Sequence, residues 1–429
     1  MWEKVTRLFR IPELRQRILF TLAAVIVFRL GTHIPVPGVD QDALRQFFET
    51  QGGGIFDFLN MFSGGALWRF SLFALGVTPY INASIIFSLL TSVVPKLKEL
   101  QQQGREGRRK ITTYTRWATV ALAIVQAAGF STIIRGAATG TPGPWFYITS
   151  VVTLTTGTIF LMWLGERMTE NGIGNGISML IMIGILSRFP ANFQQTYVEV
   201  TTGTVSPFWA LALIVVFVVV IAGVTMIQQG QRKIVIQYAK RTSGRRVYGG
   251  HTTHLPIRVN QGGVIPIIFA SALLSMPMTL VQWIEPLSRL QPYVQPGSWP
   301  YILAYVLLIF FFTYFYSSIV FDPKEVSKNV REAGGFIPGV RPGKPTADYI
   351  EVVLNRILLI GALFLAAIAV LPYVFSAVSG LSAAFIVGGT SLLIVVGVGI
   401  DTIMQIEAHL VMRHYESLTK AGGLLGRRG

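Results

Sequence analysis

The 429-residue chain is 52% hydrophobic and only 13% charged, with a mean hydropathy of +0.55, which excludes a soluble globular protein and makes the bilayer its solvent. A formal charge of +16 would suggest nucleic acid in a soluble chain, but in a membrane chain it is read from how the charges are shared among the loops. The absence of cysteine excludes disulfides, thiolate metal sites and cysteine nucleophiles.

At the start, Lys4, Arg7, Arg10, Arg15 and Arg17 precede an apolar run over 18–34, as in a signal peptide. Arg29 and the motif HIPVPGVD follow with no small-residue cleavage pattern, which predicts a retained first span. Next comes a stretch too short to span. Residues 55–66 are about half of the roughly 20 that a crossing needs, and they stand between Gly52, Gly53 and Gly54 on one side and Gly64 and Gly65 on the other. Such a segment pivots between flexible joints as a lid, or lies as a surface helix in an extramembrane loop. The run from Phe70 to Val94 is long enough to cross; in it Val77 and Ile81 share one helical face and Pro79 loosens the backbone between them. A re-entrant lid beside an aliphatic face suggests a plugged pore.

Further spans are predicted at 115–134, 147–167, 177–189, 207–228, 263–285, 300–321, 350–371 and 383–404, giving an all-α polytopic protein of ten transmembrane helices. The loops on one side, with the span ends that open into them, hold 29 Lys and Arg; the other side holds five, and two lie inside spans. That asymmetry places both termini in the cytoplasm. The segments 135–144 and 190–206 read as ordinary external loops. The second divides the chain into halves of five spans, 1–190 and 207–404, hinged at 191–206 and followed by a tail at 405–429. Loop 229–262 carries seven Lys and Arg and no acid, and its alternating KIVIQYA followed by TSG and RRVYGG predicts a β-hairpin. Loop 322–349 holds Arg341 and Lys344 in the turn GVRPGKPT. These basic residues either keep the loops inside or dock an acidic or RNA-containing partner; the shaped loops favour docking for Arg245, Arg246 and Arg341.

No motif supplies chemistry. GVRPGKPT has too few residues between its glycines for a phosphate loop, and Pro345 stands where Ser or Thr would hold magnesium. GIGNGIS at 172–178 lacks the strand of a dinucleotide site and reads as a tight bend opening the fifth span. His251 and His254 have no nearby third metal ligand, and Asp401 in GVGID has no second intramembrane Asp to share a proton. No cofactor, metal or catalytic set is expected. Arg29 anchors its helix end, pairs with another span or faces a wet cavity.

Taken together, HIPVPGVD, MFSGGAL, PYINASII, GRRKIT, TGTIFLMWLGERMTENGIGNGIS, YAKR, GRRVYGGHTTHLPIRVNQGGVIP, GVRPGKPT and GGTSLLIVV closely resemble the SecY family of bacterial protein-conducting channels, over about residues 15–420. The resemblance implies two five-helix halves hinged around an hourglass pore. It implies a plug formed by Ile55, Phe56, Asp57, Phe58, Leu59, Asn60, Met61, Phe62, Ser63, Gly64, Gly65 and Ala66. The family's aliphatic constriction falls on Val77, Ile81, Ile177, Ile181, Ile268 and Ile394, with Val77 where isoleucine is common. Its polar lateral-gate positions fall on Asn82, Gln126 and Asn260. Docking of the SecA motor ATPase or the ribosome, through rRNA and ribosomal proteins, would use Arg245, Arg246, Arg341 and Lys344. The small subunits SecE and SecG, secretory and membrane-protein substrates and membrane lipids complete the implied partners, with the bacterial inner membrane as location. The function implied is passage of unfolded secretory proteins across the membrane and sideways release of transmembrane segments into lipid, with no enzymatic step in this chain. A polytopic secondary transporter of small solutes is the alternative.

Overall fold

A computed structural model describes residues 11–51, 60, 62–139, 143–238, 241–243, 246–248, 252–283, 289–380 and 390–425. In chain order, α1 (Pro12–Gly31) and the short helix α2 (Gln41–Gln51) precede a bent pair, α3 (Thr78–Val93) and α4 (Pro95–Gln102). Then follow α5 (Arg105–Ile133), α6 (Pro144–Asn171), α7 (Gly176–Leu186), α8 (Phe189–Thr201) and α9 (Pro207–Gln229). Four strands come next: β1 (Gln231–Tyr238), β2 (Arg241–Ser243), β3 (Arg246–Tyr248) and β4 (Thr252–Arg258). The remainder comprises α10 (Ile265–Trp283), α11 (Trp299–Val320), α12 (Pro323–Glu332), β5 (Gly335–Phe336), α13 (Lys344–Ser379) and α14 (Thr390–Leu425). Each of the ten expected apolar segments overlaps one of these helices. By length and hydropathy, seven helical stretches among the described residues can cross a bilayer, or eight when α3 and α4, bent by 98°, form one broken span. Pro12, Pro95, Pro144, Pro207 and Pro323 each open a helix, where the missing N–H breaks no intrahelical bond.

Two expectations fail. Phe70–Val94 is not one helix: α3 begins only at Thr78, with Val77 as its N-cap and Pro79 in its first turn, where proline fits without loosening anything. The residues before it run as successive turns because their backbone bonds elsewhere. Val36 N–H donates to Phe70 O at 2.9 Å and Leu72 N–H to Ile34 O at 2.9 Å, while Gly64, Gly65 and Gly76 take φ of 68°, 88° and 58°. Nor is 190–206 a plain loop, since α8 occupies most of it. Pro190 sits in the first turn of α8 and no glycine interrupts the chain before Gly203 (φ 76°), which follows the helix end.

The chain divides into two compact units, Met1–Tyr197 with Ala272–Pro296 and Val398–Gly429, and Val198–Ser271 with Gly297–Gly397. In the first, α5 packs against α3 and α6, and α6 against α1 and α7. Arg116 on α5 grips Glu166 on α6 through two parallel bonds of 2.9 and 2.8 Å, a bidentate ion pair that fixes the rotation of both helices. Gly157 on α6 lies so close to the irregular stretch that a Cβ there would be 1.9 Å from Leu72 O.

In the second unit α13 carries α9, α11 and α12. The expected hairpin is present: β1 runs antiparallel to β4 with Ile234 opposite Leu255, and β2 pairs with β3. Ile234 and Ile236 are buried while Val235 between them is exposed, the alternation of a half-covered strand. β5 adds a third strand beside β1, Gln237 opposite Phe336. Ile234, Ile257, Ile337, Ile350, Leu354 and Leu358 form one core beneath this sheet, so loops 229–262 and 322–349 are built on the foot of α13 as one body.

Candidate functional site

The six aliphatic candidates sit at helix starts. Ile81 lies one turn after Val77, its N–H donating to Val77 O at 3.1 Å. Ile177 and Ile181 stand one turn apart on α7, whose N-cap Asn175 accepts from the N–H groups of Ile177 and Ser178 at 3.1 and 3.3 Å. Ile268 is in the first turn of α10 and Ile394 in the second turn of α14. Val77, Ile81, Ile181, Ile268 and Ile394 each keep 7% or less of their surface exposed. Ile177 is half-buried, and a Cβ on Gly165 of α6 would lie 2.7 Å from its Cγ1. None of these side chains offers water a hydrogen-bonding partner.

Of the expected plug, Ile55, Phe56, Asp57, Phe58, Leu59 and Met61 lie outside the described residues. Its last part is anchored. Asn60, Phe62, Ser63 and Ala66 are buried; Asn60 O accepts from Gly65 N–H at 3.0 Å, and Asn60 Oδ1 from Trp68 N–H at 3.2 Å. Gly64 and Gly65 form a fitted joint, since a Cβ on Gly64 would stand 3.0 Å from Gly184 Cα on α7. Arg29, whose role the sequence left open, points its Nη1 at Gly64 O, 3.5 Å away. Arg188 lies over the Trp68 ring at 4.8 Å from its centroid.

Asn82 is buried on α3 and Gln126 half-buried on α5. In the second unit Asn260 donates from Nδ2 to Gly263 O at 2.8 Å, while its buried Oδ1 has no partner among the described residues.

For docking, Arg245 is outside the described residues and Arg246 opens β3. Arg341 and Lys344 are exposed on a turn held from below. Thr346 Oγ1 donates to Arg341 O and Ser327 Oγ to Gly343 O, both at 2.8 Å, and Gly339 and Gly343 take φ of 82° and 104°. Arg232, Lys233 and Arg258 on the neighbouring strands are also exposed, and because loop 229–262 carries no acid this body is net positive.

One constellation was missed from sequence. The turn between α6 and α7 receives side chains from both ends of the chain. Arg17 Nη1 donates to Gly172 O at 3.1 Å, Thr21 Oγ1 accepts from Ile173 N–H at 3.2 Å, and Gln405 Oε1 on α14 accepts from Gly174 N–H at 2.9 Å. Thr169 Oγ1 accepts from Gly176 N–H at 2.9 Å. Apart from Thr169 and Gly176, these partners are separated by more than 150 positions and leave no local pattern to read.

A family model described as SecY matches residues 71–403. The protein translocase subunit SecY of Thermotoga maritima is 49% identical over 438 aligned residues, covering all of both chains. A solved structure of a protein-conducting channel superposes with a TM-score of 0.68 at 18% identity, covering 95% of this chain and 97% of its own. Sec61 from a canine ribosome–channel complex of the endoplasmic reticulum superposes with a TM-score of 0.65 at 16% identity and the same coverage.

Proposed function

The chain belongs to the SecY family and is the channel subunit of a protein translocase, and from that membership we propose how its residues divide the work. The whole-length identity of 49% to a translocase subunit carries the assignment, and neither a small-solute transporter nor an intramembrane enzyme finds support among the relatives. Unfolded secretory chains pass through it and transmembrane segments leave it sideways into lipid.

Our reading is that ten spans surround a pore whose constriction is lined by Val77, Ile81, Ile177, Ile181, Ile268 and Ile394. A narrow aliphatic ring resists wetting and so blocks ions, yet its flexible side chains close around a moving chain of any sequence. Residues 55–66 plug the outer side. Asn82, Gln126 and Asn260 mark the lateral gate. Through that gate a segment of about 20 residues gains ~0.3–0.6 kcal/mol per Leu on entering lipid, whereas one central Arg or Lys opposes it by ~2.5–3.5 kcal/mol. Partitioning therefore sorts secretion from insertion. Arg245, Arg246, Arg341 and Lys344 dock the SecA motor or the ribosome, and SecE and SecG complete the channel in a bacterial inner membrane.

This reading requires the cationic body to face the cytoplasm. The chain's lack of native cysteine provides a clean background. Single cysteines at the exposed positions Thr253 and Asn329 should react with an impermeant maleimide only from the cytoplasmic side, and one at Thr202 only from outside. Labelling of Thr253→Cys in intact cells would reverse the orientation.

A further inference from the structure

We infer that Arg17, Thr21 and Gln405 are positioning residues for the pore seal, holding the turn Gly172–Asn175 and with it the rotation of α7 that aims Ile177 and Ile181. The inference rests on the ring reading above and adds to it the parts that hold the ring in place.

The turn has four residues and almost no freedom. Gly174 takes φ of 80°, and a Cβ on Gly176 would stand 2.0 Å from Gly165 O, so α7 starts in direct backbone contact with α6. Each N–H from Ile173 to Ser178, that of Asn175 aside, is met by a side-chain oxygen, and those oxygens come from α1, α6, α14 and the N-cap itself. Arg17 holds the carbonyl side, at Gly172 O and, at 3.5 Å, Glu170 O. A helix gripped this way at its first turn cannot slip. Slippage by one residue would rotate Ile177 and Ile181 by about 100°, enough to turn both away from where they point.

Gln405 is the contact to test, because its backbone lies mid-helix and only its side chain reaches the turn. It also places α14 in this role twice, since Ile394 stands eleven residues earlier on the same helix, about three turns away. A shift of α14 along its axis is thereby felt at the start of α7.

The full chain, reconstituted with its small subunits, is compared as Gln405→Leu and Gln405→Glu. Leu keeps the bulk and removes the acceptor; Glu keeps an acceptor oxygen. Gln405→Leu should raise amide exchange across Gly174–Ile181 and increase resting ion conductance about tenfold, the scale set by leaving one N–H unpaired. Gln405→Glu should restore both. Unchanged exchange in Gln405→Leu, faster exchange with a tight channel, or equal leakage from Leu and Glu would each overturn the proposal. The double variant of Ile81 and Ile181 to glycine serves as the ring control. If it is tight, the ring reading itself fails, and the joint loses its link to the seal.

Discussion

Replacing Ile81 and Ile181 together with glycine should open a resting ion leak, and Ile394→Asn alone should do the same. The first change removes two buried aliphatic walls. The second places an amide where Ile394 is fully buried; unpaired there, it costs roughly 1–3 kcal/mol, so admitting water is the cheaper state. Open time should rise about tenfold or more, because a short dewetted constriction conducts as soon as it holds a continuous water column. Deleting 55–59 gives a milder result. That deletion spares Asn60, Ser63 and Ala66, which are buried beside the joint, and should cause intermittent leakage while the ring persists. Combined with Ile394→Asn it should leak more than either. Single-channel recording in planar bilayers reads all four, and four channels as tight as the parent would place the pore elsewhere.

Arg341→Glu should abolish motor-driven secretion while the channel still assembles with SecE. Its turn is secured by bonds to the Arg341 and Gly343 carbonyls and by glycines at positive φ, none of which involves the guanidinium. The substitution therefore changes the charge offered and leaves the turn standing. Losing a charge that pairs across an interface costs about 2–5 kcal/mol, and reversing it adds repulsion, so transport should fall about 30-fold or more. Arg341→Lys keeps the charge without the planar fork and should retain part of the activity. Full secretion by Arg341→Glu, measured as protease-protected precursor, would remove the residue from the docking surface.

The helices were legible because a run of apolar residues in lipid has few alternatives: all backbone groups must be paired internally. That logic misled at Phe70–Val77, where the residues are apolar but their backbone pairs with Ile34 and Val36 instead of forming a helical turn. At 190–206 the error ran the other way, because Thr and Gly clustered at the end of α8 outweighed a stretch that nothing prevents from coiling. The hairpin was readable from its alternation. Its attachment to Gly335 and Phe336 was not, since a two-residue strand nearly 100 positions away carries no periodic signal. For the ring, a valine or isoleucine in an aliphatic helix looks like any core residue: beyond the shared face of Val77 and Ile81, only the resemblance singled out Ile177, Ile181, Ile268 and Ile394. Gln405 and Arg17 were invisible for the same reason as β5: their partners are distant and their own surroundings ordinary.

The most direct measurement is transport itself. The chain is purified with SecE and SecG, placed in liposomes, and given the SecA motor with an unfolded secretory precursor. The precursor should become resistant to added protease only when ATP is present, and detergent should abolish that resistance. Protection without ATP, or none with every component supplied, would contradict the assignment of this chain as the channel of a protein translocase.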